Sequence, residues 1–436
     1  MTAARASAAH DPYAALRIPE FRRLISARVC LVIATQMQAV VVGWQMYQLT
    51  KDPLALGLIG LAEAIPSIVV SLYAGHVADS MPRKRIIVTA LSVFMLCSMA
   101  LFLYTRPSGS WLLSQYHTLP IYAVIFVSGI ARGFLGPALF SFMPQLLPDR
   151  ARLANAITWN SATWQASSVL GPVIGGWIVA QALVRIGGAS LTGLSAAYGV
   201  DLALTVVSLL LFSTIKGRPL PAREGEALSL KESVLTGIQF IFRNQIVLAA
   251  LSLDLFAVLF GGAVALLPIF ADEILKVGPN GFGMLRTAPA VGSVLMAVLL
   301  TYFPLRRHAG RRLLWAVAGF GLATIGFALS SNFWVALLLL FFTGVFDSVS
   351  VIVRSTLIHT YTPEYMKGRV SAVNNIFIGS SNEIGSFESG AMARLMGVVP
   401  SVLFGGGMTL LVVGVTALKA NKLRTLDLTP QEPAAA

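Results

Sequence analysis

Apolar residues along this chain fall in blocks of about twenty, separated by shorter polar stretches. A helix of about twenty residues, rising about 1.5 Å each, spans the roughly 30 Å hydrocarbon core of a bilayer. Each block therefore predicts a transmembrane helix. Lipid leaves only helices and closed barrels able to satisfy their backbone hydrogen bonds. A barrel would show alternating segments of about ten residues, and the sequence has none. The pattern gives about twelve spans, at 24–49, 54–78, 86–105, 119–146, 153–182 and 194–215, then 246–271, 281–303, 313–330, 333–358, 370–394 and 399–419. Lys216 to Asn244 is the one long internal polar stretch, with two prolines and charges of both signs, and it reads as a linker. The expected fold is an all-α membrane protein with twelve transmembrane helices in two pseudo-symmetric six-helix bundles. Residues 1–215 and 246–436 form the halves, and 216–245 a cytoplasmic linker; the tail beyond Lys422 is expected to be disordered.

Composition agrees with this reading: 56% of the residues are hydrophobic and 12% charged, against about 25% charged in a soluble domain. The net charge of +13 raises the question of a nucleic-acid partner, and its placement answers it. With a cytoplasmic N-terminus, about 24 of the 32 Lys and Arg lie in or beside cytoplasmic segments. About four (Lys51, Arg106, Arg185, Lys276) fall outside, and about four (Arg132, Arg286, Arg354, Arg394) lie within spans. The basicity is a topology signal, with attraction to lipid headgroups as a side effect, and nucleic acid is not needed to explain it. Both termini are expected to be cytoplasmic. Cys30 and Cys97 lie within spans, so no disulfide framework is expected. The first block follows Arg5, Arg17, Arg22 and Arg23 and is too long for a signal h-region, so it is expected to remain as the first span.

The halves echo each other. Aligning Gly129 with Gly344 gives an offset of 215 residues that also brings Pro148-Asp149 onto Pro363-Glu364 and Arg132 onto Asp347. Arg306-Arg307-His308-Ala309-Gly310-Arg311-Arg312 echoes Arg83-Lys84-Arg85. Duplicated halves suit a carrier that rocks one half against the other around a midplane site.

Charged groups inside spans are costly and mark function or internal pairing. A carboxyl group in a low-dielectric cavity can hold a proton near neutral pH, as proton coupling requires. The proton-coupling candidates are Asp254, Glu63, Asp347, Glu383 and Glu388, together with Arg132. A structural ion pair with Arg132 or Arg354 is the competing role for each acid. Asp201, near the start of the sixth span, reads as an interface residue. Gln36, Gln38, Trp44, Gln45, Tyr47, Trp159, Asn160, Trp164 and Gln165, with Arg354 and Asn375, offer donors and flat rings to a substrate cavity. That mix suits a bulky, partly polar organic molecule, although Trp and Tyr also form interfacial belts. No metal site, cofactor or hydrolase motif is apparent, so an enzyme is not expected.

Three motifs bear a family resemblance. Gly75-His76-Val77-Ala78-Asp79-Ser80-Met81-Pro82-Arg83-Lys84-Arg85 resembles the loop between helices 2 and 3 of major facilitator superfamily transporters, with Ser80 and Pro82 where that family usually has Arg and Gly. Arg132-x-x-x-Gly136 resembles the helix 4 motif of its proton-coupled members, with Leu135 for the usual Gln. Gly171-Pro172-Val173-Ile174-Gly175-Gly176 resembles the antiporter signature of its exporters, with Ser167 for the usual first Gly. Glu20-Phe21-Arg22-Arg23-Leu24, Tyr47 to Gly57, Gly136-Pro137-Ala138 and Ala154-Asn155-Ala156 are similar to the branch holding the enterobactin exporter and related secretion and drug-efflux carriers. The resemblance implies a conformational motif at Gly75, Asp79, Arg83, Lys84 and Arg85. It implies a proton-coupled exporter of a small organic molecule such as a siderophore or drug, working by alternating access. The expected setting is the bacterial inner membrane, with protons and lipids as partners and a monomeric state. A proton-coupled importer, or a channel or receptor of the same architecture, stays open.

Overall fold

The computed structural model describes residues 13–106, 109–149, 152–181, 183–186, 189–217, 230–302, 308–363 and 366–426. The chain opens with α1 (Pro19–Thr50), α2 (Pro53–Ser80) and α3 (Arg83–Tyr104). A short α4 (Ser110–Tyr116) precedes α5 (Leu119–Phe142), α6 (Leu153–Val179) and α7 (Gly193–Ser213). After α8 (Leu230–Arg243) come α9 (Gln245–Phe260), the one-turn α10 (Leu267–Ile269) and α11 (Gly278–Tyr302). The chain continues through α12 (Ala309–Leu329), α13 (Phe333–Tyr361), α14 (Lys367–Met396), α15 (Val398–Lys419) and the short α16 (Asn421–Arg424).

The ends of these helices follow from local chemistry. Pro53 starts α2, where its missing N–H is not needed, and the Asp52 carboxylate caps the helix by accepting from Leu54 N at 3.0 Å. Asn244 and Asn332 cap α9 and α13 in the same way. Lys51 closes α1 in a left-handed conformation (φ 50°).

Among the described residues, ten segments are long and apolar enough to cross a membrane. α6 and α14, at 27 and 30 residues, are long enough as well but carry more polar side chains, Asn160 and Gln165 in one, Asn382, Glu383 and Glu388 in the other. The described helix limits fall within a few residues of the expected spans, with three departures. The seventh span does not run unbroken over 246–271. It stops at Phe260, and a 3-10 turn (Ala263–Leu266), α10 and a π-turn (Phe270–Ile274) follow. Gly261-Gly262 weakens the helix and Pro268 lacks the N–H to continue it. Gly262 also presses against α14: a Cβ there would lie 3.1 Å from Gly385 O. The linker is not wholly a loop, because α8 occupies its second half. Between α6 and α7, Leu183–Ile186 (β1) and Ala189–Thr192 (β2) pair antiparallel as a small hairpin.

In the first helix set, α2 packs on α5, α1 on α6 and α7, and α3 on α5 and α7. In the second, α11 packs on α13, α12 on α13 and α15, and α9 on α14 and α15. The sets meet where α2 crosses α14 and α6 crosses α11. One apolar core joins both sets near the Thr50 end, with Met37, Trp44 and Tyr47 of α1 beside Phe270, Phe282 and Leu285. At the Ser80 end the cores formed by the described residues are separate. Phe21, Ile87, Phe142 and Phe212 belong to the first set alone, and Leu313, Val353 and Leu357 to the second. Among the described residues, apolar burial thus holds the sets together at one end only.

Candidate functional site

The closed end is built on glycines. A Cβ at Gly176 of α6 would lie 2.7 Å from Pro279 O and 2.8 Å from Gly283 Cα of α11. One at Gly390 of α14 would lie 2.7 Å from Pro53 O and 2.9 Å from Gly57 Cα of α2. Each crossing therefore sets a Pro-x-x-x-Gly helix start against a glycine of the other set, backbone on backbone. Gly171 and Gly175 face another way. Their added Cβ atoms would meet Gln36 Cβ at 2.7 Å and Met37 Cγ at 2.8 Å, both on α1. The helix 5-type motif thus has two faces, one fixed within its own set and one on the seam between sets.

Polar contacts fasten the same end. Lys51 Nζ lies 2.8 Å from Asp272 Oδ2, and Arg394 Nη1 lies 3.3 Å from Asp52 Oδ2, so each set gives one cation and one anion. The Tyr47 hydroxyl donates to the Glu273 carboxylate, and Lys51 stands 4.3 Å from the Tyr47 ring centroid. The surface pairs at Lys51 and Arg394 are half-exposed and contribute at most about 1 kcal/mol each, less than the packing beneath them.

Below this seal, four charged residues from four helices share one neighbourhood. Arg132 Nη1 of α5 lies 2.7 Å from Glu63 Oε1 of α2. Glu383 of α14 interacts electrostatically with Glu63, Arg132 and Arg286, and Arg286 of α11 with both glutamates. Glu383 reaches α2 itself, since a Cβ at Gly60 would lie 3.0 Å from its Oε2. Counted from the Thr50 end at about 1.5 Å per residue, the four lie roughly 12–20 Å deep. The Arg132 side chain is 49% exposed and Glu63 20%. A guanidinium exposed at that depth requires water or a polar partner, which lipid does not supply. Glu63 and Glu383 supply the partner, and the exposed part of Arg132 marks a cleft below the seal.

Other expected site residues sit elsewhere. Arg354 does not line a cavity: it is buried in an ion pair with Asp254, whose Oδ1 also accepts from Ser350 Oγ at 3.1 Å. This pair joins α13 to α9 inside the second set. Gln45 is likewise buried, accepting at 2.6 Å from the Tyr198 hydroxyl, and Trp44 stacks on Phe282 with ring centroids 6.0 Å apart. Both belong to the packing of the closed end. Asp201 is buried on α7 with Ser98 of α3 near it, inside the first set and away from the interface expected for it. Among the described residues no ion pair reaches Asp347; the Arg132 partner is Glu63. Glu388 is partly buried on α14. Trp164 is 47% exposed, and Gln36 packs beside Gly171. The side chains of Asp79 and Asn375, and the surroundings of Gly75, lie outside the described residues. Arg83 Nη1 donates to Ser141 O at 2.9 Å and Lys84 Nζ to Ser213 O at 2.8 Å, tying the start of α3 to the ends of α5 and α7; Arg85 is exposed.

Sequence reasoning left Arg286 and the seal residues Asp52, Asp272 and Glu273 off the site. An Arg within the eighth span was the available signal for the first. Acids at span ends give no such signal, because their partners are set only by how the two sets meet.

The buried pair yields a stability prediction. Asp254→Ala leaves the Arg354 guanidinium buried without its counter-charge, at an expected cost of about 3–5 kcal/mol. Thermal unfolding of the purified protein should show a marked fall in midpoint, and the double variant Asp254→Leu with Arg354→Met should recover most of it.

The two helix sets, sealed at one end and parted around a charged cleft, define a membrane carrier. The Major Facilitator Superfamily pattern matches residues 24–386, and the chain belongs to that family. It is a transporter, not an enzyme. Among curated proteins it is similar to the enterobactin exporter EntS of Shigella boydii serotype 18 and of Escherichia coli O81, each 25% identical over 415 residues covering 95% of both chains. Among solved structures it resembles a bacterial homolog of the human lysosomal transporter Spinster in an inward-facing, occupied conformation (TM-score 0.70, 14% identity, 95% of this chain and 99% of that one). A bacterial homologue of the iron transporter ferroportin in an inward-facing state is also similar (TM-score 0.66, 16% identity, 94% and 99%). So is the nucleoside transporter NupG (TM-score 0.66, 13% identity, 92% and 99%).

Proposed function

We infer that this chain is a proton-coupled exporter of a small organic molecule, of the siderophore or drug type. The observation that carries the reading is the Glu63, Arg132, Arg286 and Glu383 cluster, which draws on both helix sets within the cleft. Carboxylates held between guanidinium groups change partners when the sets rock, and a change of partner changes how firmly each holds a proton. The similarity to enterobactin exporters along 95% of both chains supports the outward direction.

In this reading α6 and α14 complete twelve spans in two six-helix bundles, residues 1–215 and 246–436, with 216–245 as a cytoplasmic linker. The asymmetry of Lys and Arg between loops supports cytoplasmic termini and a bacterial inner-membrane location. The sealed Thr50 end then faces outward, and the described conformation opens to the cytoplasm. Asp79 with Arg83, Lys84 and Arg85 forms the conformational motif, and the monomer is the working unit. Asp347 and Glu388 are secondary proton candidates, Asp254 a structural one, and Trp164 and Gln36 contact substrate.

The test is efflux from cells carrying or lacking the protein, against a panel of siderophores and drugs, with and without a proton uncoupler. Uncoupler-sensitive efflux of at least one compound is expected. Protein-dependent uptake driven by protons, or flux that never saturates, would replace the exporter by an importer or a channel.

A further inference from the structure

The linker helix α8 carries three distinct arcs. Ile241 is fully buried and packs, with Ile238 and Phe240 partly buried beside it, on Val247 and Leu251 of α9, Ile358 of α13, and Val370 and Val373 of α14. Leu235 and Phe242 stand seven residues apart, two turns along, and so share a second arc beside the docked one. They are 50% and 63% exposed. Gln239 and Arg243 continue round to a third arc, exposed and polar.

A soluble helix docked by one face would follow that face with polar residues, because water on an exposed Phe and Leu is unfavourable by about 25 cal/mol per Å². Here an apolar strip lies between the protein-facing and polar arcs. Its position explains it. A single residue, Asn244, joins α8 to α9: its N–H bonds to Phe240 O at 3.1 Å, and its side chain caps Ile246 N and Val247 N at 3.2 Å. α9 opens one of the segments apolar enough to cross the membrane, so α8 is held at the level where that segment enters the bilayer. A helix at that level with protein, apolar and polar arcs in sequence has the pattern of an interfacial helix.

We propose that α8 is a membrane-surface helix, whose Leu235 and Phe242 insert into the headgroup–acyl boundary of the bilayer while its Ile238–Ile241 face rides on α9, α13 and α14. The occupant of the exposed apolar strip is lipid. The lipid surface thereby touches an element docked directly on α14, the helix that carries Glu383.

The test uses the full-length protein with Cys30→Ser and Cys97→Ser, and single spin labels at Leu235→Cys, Phe242→Cys or Arg243→Cys. These three sites are exposed, so labelling leaves packing undisturbed. In nanodiscs of phosphatidylcholine and phosphatidylglycerol, power saturation compares collision with oxygen, which concentrates in lipid, and with a nickel chelate, which stays in water. Labels at positions 235 and 242 are expected to favour oxygen severalfold, and the label at 243 to favour nickel. Nickel preference at 235 and 242 would place the strip in water and overturn the proposal. Low collision with both reagents would show the strip covered by protein, a second copy or another segment, and would overturn it equally.

Discussion

Glu383→Gln is expected to reduce proton-driven accumulation in inverted vesicles by tenfold or more, while exchange of labelled for unlabelled substrate stays within about threefold of the parent. Neutralising Glu383 removes a carboxylate that interacts with two guanidinium groups and with Glu63 across the seam. Exchange needs the sets to rock but needs no net proton movement, so it separates coupling from conformational change. Glu63→Gln should behave alike and disturb Arg132 directly, because its Oε1 is the 2.7 Å partner. The two losses should not add. Groups in one network show coupling energies of about 0.5–3 kcal/mol in double-mutant cycles. A double variant no worse than either single one is therefore the stronger signature. Full proton-driven transport in Glu63→Gln, Glu383→Gln, Asp347→Asn and Glu388→Gln would sink carboxyl coupling. A carrier driven by the substrate gradient would then be the better account.

The spans were legible because a bilayer imposes one length and one polarity on each, and several helix starts follow from Pro, Asn and Asp residues that a sequence displays. What sequence could not give was partner choice. Arg132 could be read as an intramembrane charge needing a counter-ion, but its repeat relation to Asp347 pointed away from Glu63, which lies on a neighbouring helix of the same set. Arg354 and Gln45 illustrate the same gap. Both are polar residues in spans, and only packing shows that Asp254 and Tyr198 satisfy them internally and remove them from the cleft. The broken seventh span was legible in principle, from Gly261-Gly262 and Pro268, but an apolar run masked the break. The linker helix was hidden differently. Its apolar residues are too few for a span and too spaced for a strand, and they become significant only beside Val247, Leu251, Val370 and Val373 of α9 and α14, which they help to bury.

Gly176→Leu is expected to have the largest effect of any single change at the seam, lowering efflux to a few per cent of the parent without loss of folded protein. The added side chain has nowhere to go, since its Cβ alone would stand 2.7 Å from Pro279 O and 2.8 Å from Gly283 Cα, both backbone atoms that cannot turn aside. Overpacking of this kind typically costs about 1–3 kcal/mol. Within one rigid set that cost would fall on stability, but at a seam the two sets can part and avoid it. A bias of about 2.7 kcal/mol shifts a conformational equilibrium roughly a hundredfold, so the closed Thr50 end should become rare. Gly390→Leu meets Pro53 O and Gly57 Cα in the same way and should do the same. Gly414→Leu is the control, because nothing lies within 4 Å of a Cβ there. The readout beyond transport is access. A cysteine placed at Thr287, buried on α11 with its hydroxyl 3.4 Å from Val169 O of α6, should react with an impermeant maleimide several times faster in the Gly176→Leu and Gly390→Leu backgrounds than in the parent or in Gly414→Leu. Slow labelling together with normal efflux would mean that the seam between α6 and α11 accommodates the added side chain and still closes. The glycines would then serve packing alone and have no part in switching.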